Sequence, residues 1–494
     1  MAANVKAVPM DTPGSGPFEL ASQRLGALPL VNHFLARAGL PELLEHYLPA
    51  SDARVRLAPA VAVRLVITNL LVGRQPLYGL GEWADPFAPG LLGLADEEVG
   101  SLNDDRVGRA LEALFDADRA SLLTELLLGV VAEFGIDVSE LHNDSTSISV
   151  SGVYRSATGV PRGDKPTPVI SFGHSKDHRP DLKQLVFILT VAADGAVPIA
   201  YRLADGNTTD DPTHVPTWDG LVALLGRSDF LYVADSKLCS REAMGHIAAA
   251  GGRFVTVLPR SRGEDRWFRD WAQTHRPDWT EAIRLPGPRA DEPDQVYSTF
   301  PAPLPSAEGY RIIWVHSTDK ATRDAASHQA RIEAGAAVID ALAARLAGPK
   351  CRLKTRVAVE DEAAAVLARA DAERWISYTI TETIEETYRP ERRGRPGANT
   401  RYRRHTQTRF HISWATRLDI LAYDAATDGA FPLISNDTTL TDAEVLASYR
   451  YQPNLERRHH LLKAGKLPPR CCCATPPASK RCSAANSSPC CSAP

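Results

Sequence analysis

The sequence predicts an α/β protein in which a helical N-terminal region precedes a mixed sheet, and a long insertion interrupts that sheet. Three observations predict this organisation. Apolar residues recur every three or four positions over residues 17–135, as in packed helices. Strand-like and helix-like segments alternate over 136–258. The alternation stops over 259–435 and resumes over 436–465.

Composition limits the class of protein. The 494 residues include 44% hydrophobic and 23% charged residues, which is typical of a globular chain of several domains. A net charge of −4 means that any polyanion-binding surface is local. Residues 1–16 lack an apolar core and predict a flexible leader. The apolar run 57–73 contains Arg64 and Asn69 and predicts a buried helix, so no membrane partner is expected.

The N-terminal helices leave two functions open. Runs such as "LVNHFLARAGLPELLEHYL" and "DDRVGRALEALFDADRASLLTELLLGVVAEFG" have helical periodicity, and Asn103 or Asp104 is suited to cap the second. A plain helical bundle and a module that binds DNA ends fit this pattern equally well.

The central segment predicts a sheet that carries two aspartates. The first strand is "DVSELHNDSTSISV", the second "TPVISFGHSK", and the third region turns back at Asp194-Gly195. A helix, the strand "DFLYVAD", another helix and the strand "RFVTVLP" follow. Asp144 therefore lies on the first strand. Asp235 lies at the end of the fourth strand, where open α/β sheets usually place their chemistry.

The insertion contains its own basic run. Residues 389–404, "RPERRGRPGANTRYRR", hold seven arginines and one glutamate. A solvated surface is one interpretation. Contact with nucleic-acid phosphates is the other, because arginine donors interleaved with Tyr402 suit a phosphate backbone.

The returning segment predicts a third acidic position. Thr441 with Glu444 three residues later predicts a capped helix, and Pro453 should interrupt it and begin a second helix. Glu456 then lies in the first turn of the second helix. Lys463 follows seven residues later and shares its face.

Two aspartates on a sheet and a glutamate on a helix suit divalent cations, because Mg²⁺ prefers oxygen ligands. The alternative is structural. In that case Asp144 is a hydrogen-bonded turn residue and Asp235 caps the helix of "SKLCSREAM".

Five ordered motifs resemble a known family. They are "HNDSTSISVSG", "GHSKDHRPDLKQLVF", "DGNTTD", "YVADSKLCSREAM" and "YRYQPNLERRHHLLK". Together they resemble the DDE transposases of bacterial insertion sequences, over residues 17–465. The resemblance implies a ribonuclease-H-like core interrupted by a β-rich insertion.

The resemblance also implies the roles of the acidic residues. Asp144, Asp235 and Glu456 would be the catalytic, metal-binding carboxylates, holding two Mg²⁺ ions for which Mn²⁺ substitutes. The family's signature around the glutamate is Tyr, Arg, Glu and Lys. This chain has Tyr449, Gln452 and Lys463 around Glu456, so Gln replaces Arg and one permanent charge near DNA is absent.

The implied activity is recombination of a mobile element. The enzyme would cleave DNA at the element ends as an endonuclease and transfer the freed 3′-hydroxyl into target DNA. Its partners would be double-stranded DNA, namely terminal inverted repeats and target, bound by a homodimer in the bacterial cytoplasm and nucleoid. Expected DNA contacts are Tyr449, Gln452, Lys463, Lys176, His178, Arg401, Arg403 and Arg404. Asn207 to Asp210 are expected at the site rim.

Residues 466–494 change composition abruptly. They hold six Cys and six Pro with Leu467 as the only large aliphatic residue, which predicts a disordered segment. The interpretation is a frameshifted end. An alternative function follows, in which a catalytically impaired remnant only binds DNA and inhibits intact copies.

Overall fold

The structure is a computed structural model that describes residues 22–464, apart from 51–54 and positions 156, 288, 290, 349, 393 and 396. The predicted leader (1–16) and the predicted frameshifted tail (466–494) lie outside the described residues. No helix in the described part of the chain is both long and apolar enough to cross a membrane.

The chain divides into two compact units. The first unit runs to Tyr232 and resumes at Tyr451, and the second is Val233–Arg450. The division falls inside a short strand, between Tyr232 and Val233. The domain boundaries expected at 135/136, 258/259 and 435/436 stay predictions.

The predicted N-terminal helices are confirmed. Their shared apolar faces form one core that includes Leu44, Leu65, Leu80 and Val107. Asn103 caps α7 by accepting a hydrogen bond from the amide of Arg106, as predicted. The helices are α1 (Leu28–Arg37), α2 (Leu40–Tyr47), α3 (Pro59–Val72), α4 (Leu80–Ala84), α5 (Pro89–Leu92), α6 (Asp96–Val99), α7 (Asp104–Asp116) and α8 (Arg119–Phe134).

The sheet of the first unit has the strand order β3-β2-β1-β4. Its first three strands are antiparallel neighbours, and Gly195 at φ 64° forms the predicted turn between β2 and β3. The elements are β1 (Glu140–Val150), β2 (Lys183–Ala192), β3 (Pro198–Ala204), α9 (His214–Leu225) and β4 (Leu231–Val233), with α16 (Gln452–Ala464) closing the unit.

One predicted strand is wrong. "TPVISFGHSK" forms only isolated bridges, between Thr158 and Val169 and between Ser171 and Gln184. The segment instead passes so close to other backbone that a Cβ at Gly173 would lie 2.0 Å from the carbonyl oxygen of Gly206. This close approach replaces a strand ladder.

The second unit contains a five-stranded antiparallel order and a separate hairpin. The sheet order is β5-β11-β8-β7-β6, and β9 pairs only with β10 over fifteen residues each. The elements are α10 (Arg241–Ala249), β5 (Arg253–Val257), α11 (Gly263–Trp271), β6 (Thr280–Leu285), β7 (Gln295–Pro301), β8 (Arg311–Ser317), α12 (Thr318–Ala347), α13 (Arg356–Arg369), β9 (Ile376–Pro390), β10 (Tyr402–Thr416), α14 (Leu418–Ala425), β11 (Ala430–Ser435) and α15 (Asp442–Tyr449).

The hairpin has a packed base and an exposed outer half. Ile380, Phe410 and Ile412 at the base are buried against apolar residues of α12 and α13. The outer half, residues 381–390 and 401–407, is exposed. We call this outer half the arm. Four arginines of the predicted arginine-rich run lie on this arm, namely Arg389, Arg401, Arg403 and Arg404.

Candidate active site

Asp144 lies in the middle of β1, paired with Leu189 of β2. Its Oδ1 accepts a hydrogen bond from the amide of Ser145 at 2.8 Å, and its side chain is 27% exposed. The preceding Asn143 is buried and donates to Thr190 Oγ1 at 2.9 Å. Asp144 is therefore a strand residue, and the structural interpretation that made it a turn residue is wrong.

Lys176 brings a cation to Asp144. Its Nζ lies 3.8 Å from Asp144 Oδ1 and 3.0 Å from Asp210 Oδ2. The same Nζ donates to the carbonyl oxygen and to Oγ of Ser145, each at 2.7 Å. The Lys176 ammonium thus lies among oxygens of Asp144, Asp210 and Ser145.

Asp210 is held in its ionised form. Burial raises the pKa of this carboxyl, but the hydrogen bond from the Ser145 hydroxyl and the Lys176 ammonium outweigh burial, so the pKa lies below its ordinary value. The sequence placed Asp210 only at the site rim. The available signal was the polar run "DGNTTD", which ends directly before the turn that leads into α9.

The helix that carries Glu456, α16, packs on β1, which carries Asp144, and on its neighbour β2. Leu455 is fully buried in a cluster with Leu189, Val191 and Ala196. Glu456, the next residue, is exposed. Burial of one residue and exposure of its neighbour is what an amphipathic helix on a sheet requires.

Two further contacts hold this helix, one from the residue before it and one from its second turn. Tyr451 lies against His142 of β1, with ring centroids 4.6 Å apart. Arg458 donates to the carbonyl oxygens of Gly195 at 2.7 Å and Ala196 at 2.9 Å, in the β2–β3 turn. These contacts hold the helix of Glu456 against the sheet of the first unit.

Lys463 and His459 lie on the same helix. Lys463 Nζ pairs with Asp177 Oδ1 at 2.5 Å, so it is not a solitary solvated lysine. Burial, and then the charges of Lys463 and Lys176, lower the pKa of His459 to about 4. His459 is therefore neutral at pH 7.

The remaining expected contacts of the first unit differ in environment. His178 adopts the left-handed backbone conformation at φ 56°, in the loop with Lys176 and Asp177. Gln452 is half-buried, and its Nε2 has no hydrogen-bond partner among the described residues. An arginine at this position, as in the family signature, would bring five donors to the same place.

Asp235 and Tyr449 belong to the second unit. Asp235 follows β4 and its Oδ1 accepts from the amide of Lys237 at 3.0 Å, so it caps the short 3₁₀ turn Ser236–Leu238. The structural alternative expected it to cap the helix of this segment, but Ser240 caps α10. Its carbonyl oxygen accepts from the hydroxyl of Thr256 at 2.5 Å. Tyr449 ends α15, with its ring 6.3 Å from that of Phe431.

The donors for a metal ion are oxygens. Among the described residues, no group of three or more histidine, cysteine, aspartate or glutamate side chains is arranged to hold a metal ion. The oxygens of Asp144, Asp210 and Ser145 nevertheless surround one positive charge, the Lys176 ammonium. This donor set has the chemistry that a hard divalent cation prefers.

The arm presents the arginines that the sequence singled out. Arg403 lies opposite Arg389 in the strand register, and Arg404 Nη1 is 3.3 Å from Glu386 Oε1. Arg401 and Arg403 are exposed. A two-stranded ribbon of this kind is narrow enough to enter the major groove of duplex DNA.

Comparisons with known proteins give two findings. A family model described as a domain of unknown function (DUF4277) matches residues 20–128, within the helical N-terminal region. The structure is similar to a piggyBac transposase in its synaptic complex with hairpin DNA, at 10% identity and a TM-score of 0.30, over 54% of this chain. The match spans 57% of that transposase chain. No curated protein matches the chain.

Proposed function

We propose that this chain is a DDE-type transposase that cleaves DNA at the ends of a mobile element and joins the freed end to target DNA. The observation that carries the proposal is the packing of α16 on β1 and β2. It holds the helix of Glu456 and Lys463 against the strand of Asp144, so two of the three carboxylates named by the motifs stand on elements fixed to each other.

Asp144, Asp235 and Glu456 are the residues proposed to hold Mg²⁺ or Mn²⁺. When bound, such ions activate a water and stabilise the leaving oxygen of a phosphodiester. The oxygens gathered around Lys176 Nζ support this assignment, because they already accommodate a positive charge beside Asp144.

The basic residues are proposed to position DNA. Lys463 and Lys176 are suited to contact phosphates close to the carboxylates, with Tyr449, Gln452 and His178 beside them in the sequence motifs. Arg401, Arg403 and Arg404 on the arm are suited to bind the backbone at a second place. Contacts of this kind fix the register of DNA without reading its sequence.

The antiparallel strands β1, β2 and β3, followed by α9 and β4, support the ribonuclease-H-like core that the motifs imply. The resemblance implies that two copies act together on the two element ends, and homo-oligomers of two copies are commonly symmetric. A homodimer in the DNA complex is therefore part of the proposal, and light scattering of the protein with and without end DNA measures it.

The experiment is cleavage and joining of a labelled duplex that carries the DNA flanking this gene, with Mg²⁺ or Mn²⁺. Joined products are expected from the wild-type chain. Asp144→Asn and Asp235→Asn should lower the rate by about 10²–10³-fold or more, the scale for losing one electrostatic element of a transition state, while salt-sensitive DNA binding persists. DNA binding without metal-dependent cleavage by the wild-type chain would contradict the enzymatic proposal and favour the binding-only inhibitor. Cleavage without joining would favour a nuclease.

A further inference from the structure

The Lys176 ammonium lies among oxygens that could otherwise bind a metal cation. Its Nζ lies within 3.0 Å of three oxygens, one from Asp210 and two from Ser145, and 3.8 Å from an oxygen of Asp144. Two carboxylates share this single ammonium. These three charged groups together carry a net charge of −1.

The geometry allows the ammonium to leave. The Lys176 side chain is 35% exposed, whereas the side chain of Asp210 is 18% exposed. A half-buried lysine can move its head group into water along a flexible four-carbon stem without burying it elsewhere. The amide of Lys176 is held separately, by donating to Ser147 Oγ at 3.0 Å, so the backbone can stay in place when the head group moves.

The carboxylates are less able to move. Asp144 is part of a strand, and the Ser145 hydroxyl donates to Asp210 Oδ1 while the Ser145 amide donates to Asp144 Oδ1. Ser145 thus ties the two carboxylates together from both of its donors. If Lys176 departs, both acidic groups remain facing the same space and repel each other.

We propose that Asp210 is a further carboxylate of the site, and that the Lys176 ammonium is an exchangeable counter-ion that a divalent cation displaces. In the metal-free protein Lys176 acts as a positioning residue, because it keeps Asp144 and Asp210 close. After displacement its ammonium is available to a DNA phosphate. This inference rests on the proposed metal site at Asp144.

The test compares Lys176→Met with the matched control Lys183→Met. Lys183 is in the same unit, and its ammonium donates to the carbonyl oxygen of Val153 at 2.8 Å. Mn²⁺ binding without DNA is measured by titration calorimetry and by the electron paramagnetic resonance signal of free Mn²⁺. Lys176→Met should bind Mn²⁺ about tenfold more tightly than wild type, which corresponds to about 1.4 kcal/mol. Lys183→Met should match wild type.

Thermal unfolding supplies the second readout. In EDTA, Lys176→Met should melt at a lower temperature than wild type because Asp144 and Asp210 repel each other. Saturating Mn²⁺ should bring its melting temperature back to that of wild type. Adding Asp210→Asn to Lys176→Met should remove both the metal rescue and the gain in Mn²⁺ affinity. If Lys176→Met does not fold, Lys176→Gln keeps donors for Ser145 while removing the charge and serves the same comparison.

The outcomes separate this inference from the proposed function. A melting loss that Mn²⁺ does not restore, or a Mn²⁺ affinity that is unchanged or weaker, would show that Lys176 is an ordinary structural lysine and overturn the inference. Tighter Mn²⁺ binding by Lys176→Met in a chain that cleaves no DNA would uphold the inference and reject the transposase activity. DNA cleavage by the wild-type chain, together with an unaltered Mn²⁺ affinity of Lys176→Met, would support the transposase activity and reject the inference about Lys176.

Discussion

The two basic regions of the molecule hold their cations differently. In the first unit, Lys176 and Lys463 are paired with carboxylates at 3.0 Å or closer and are partly buried. In the second unit, Arg401 and Arg403 lie on the exposed arm, and Arg404 makes a looser pair with Glu386 at 3.3 Å. In the proposed DNA complex, the lysines would exchange a carboxylate partner for a phosphate, whereas the arm arginines would release only solution counter-ions. We expect the lysines to adjust the geometry near the carboxylates and the arm to supply salt-sensitive affinity.

The largest expected effect is on the packing that supports the first region. Leu455→Ala should lower the free energy of unfolding by about 2–5 kcal/mol, because it removes a fully buried side chain between α16 and the sheet. Urea denaturation measures this, and DNA cleavage should fall with it.

Leu461→Ala is the matched control, since Leu461 is on the same helix and 51% exposed. It should change stability by less than about 0.5 kcal/mol. Equal effects of the two substitutions would mean that α16 is not anchored through Leu455.

The pH dependence of stability distinguishes the two basic regions. His459, beside the lysines, is buried, whereas His405 on the arm is exposed. Burial and two lysine charges lower the pKa of His459 from 6.5 to about 4, so folding favours the neutral ring. The free energy of unfolding should therefore be unaffected by this histidine above pH 6.5. It should fall by on the order of 3 kcal/mol as the pH is lowered from 6.5 to 4.

His459→Phe should flatten the stability profile between pH 6.5 and 4, as followed by chemical denaturation at fixed pH values. The phenyl ring preserves the edge contact with Phe187. A slope that persists unchanged in this variant would assign the pH dependence to other groups.

The arm is tested by salt dependence. Replacing Arg401, Arg403 and Arg404 with Ala should reduce the slope of log K against log salt for duplex DNA by up to about three units. Fluorescence anisotropy at several salt concentrations measures this slope. Arg323→Ala on α12, which removes an exposed arginine paired with Asp319, should change it by about one unit or less. An unchanged slope in the triple variant would identify the arm as plain surface.

The smallest expected effect concerns the lysine–carboxylate pairs themselves. Asp177→Asn releases Lys463 from its partner and should raise DNA affinity by up to about fivefold, the range for a partly exposed ion pair. Asp181→Asn, which removes the partner of Arg179 in the same loop, is the control. Weaker DNA binding by Asp177→Asn would mean that the pair positions Lys463 rather than competing for it.

Features set by neighbouring residues in the chain were predictable from sequence. Asn103 caps α7, and Thr441 and Glu444 form the predicted capping box. Pro453 lies in the first turn of α16, although it is the second residue of that helix and not the first. These features depend on dihedral preferences and on hydrogen bonds within one turn, which short motifs encode.

Features that depend on distant partners were not predictable in the same way. The strand expected at "TPVISFGHSK" forms only isolated bridges, and Gly173 there lies against the backbone of Gly206, a residue more than thirty positions away. The grouping of Lys176 with Asp144 and Asp210 joins residues that are more than thirty positions apart, and no local pattern indicates which lysine meets which carboxylate.

The sequence alone therefore determined the helices, the hairpin turn, the caps and the positions of the acidic residues along the chain. Hydrophobic periodicity and turn-forming residues act over a few positions, so they can be recognised in the sequence without knowledge of the fold. Only the tertiary structure decided that α16 lies on β1 and β2, that Asp210 joins Asp144 around one ammonium, and that Arg401, Arg403 and Arg404 lie on an exposed arm. Charge pairing and burial depend on distances in space, and those exist only once the sheet and its helices have packed.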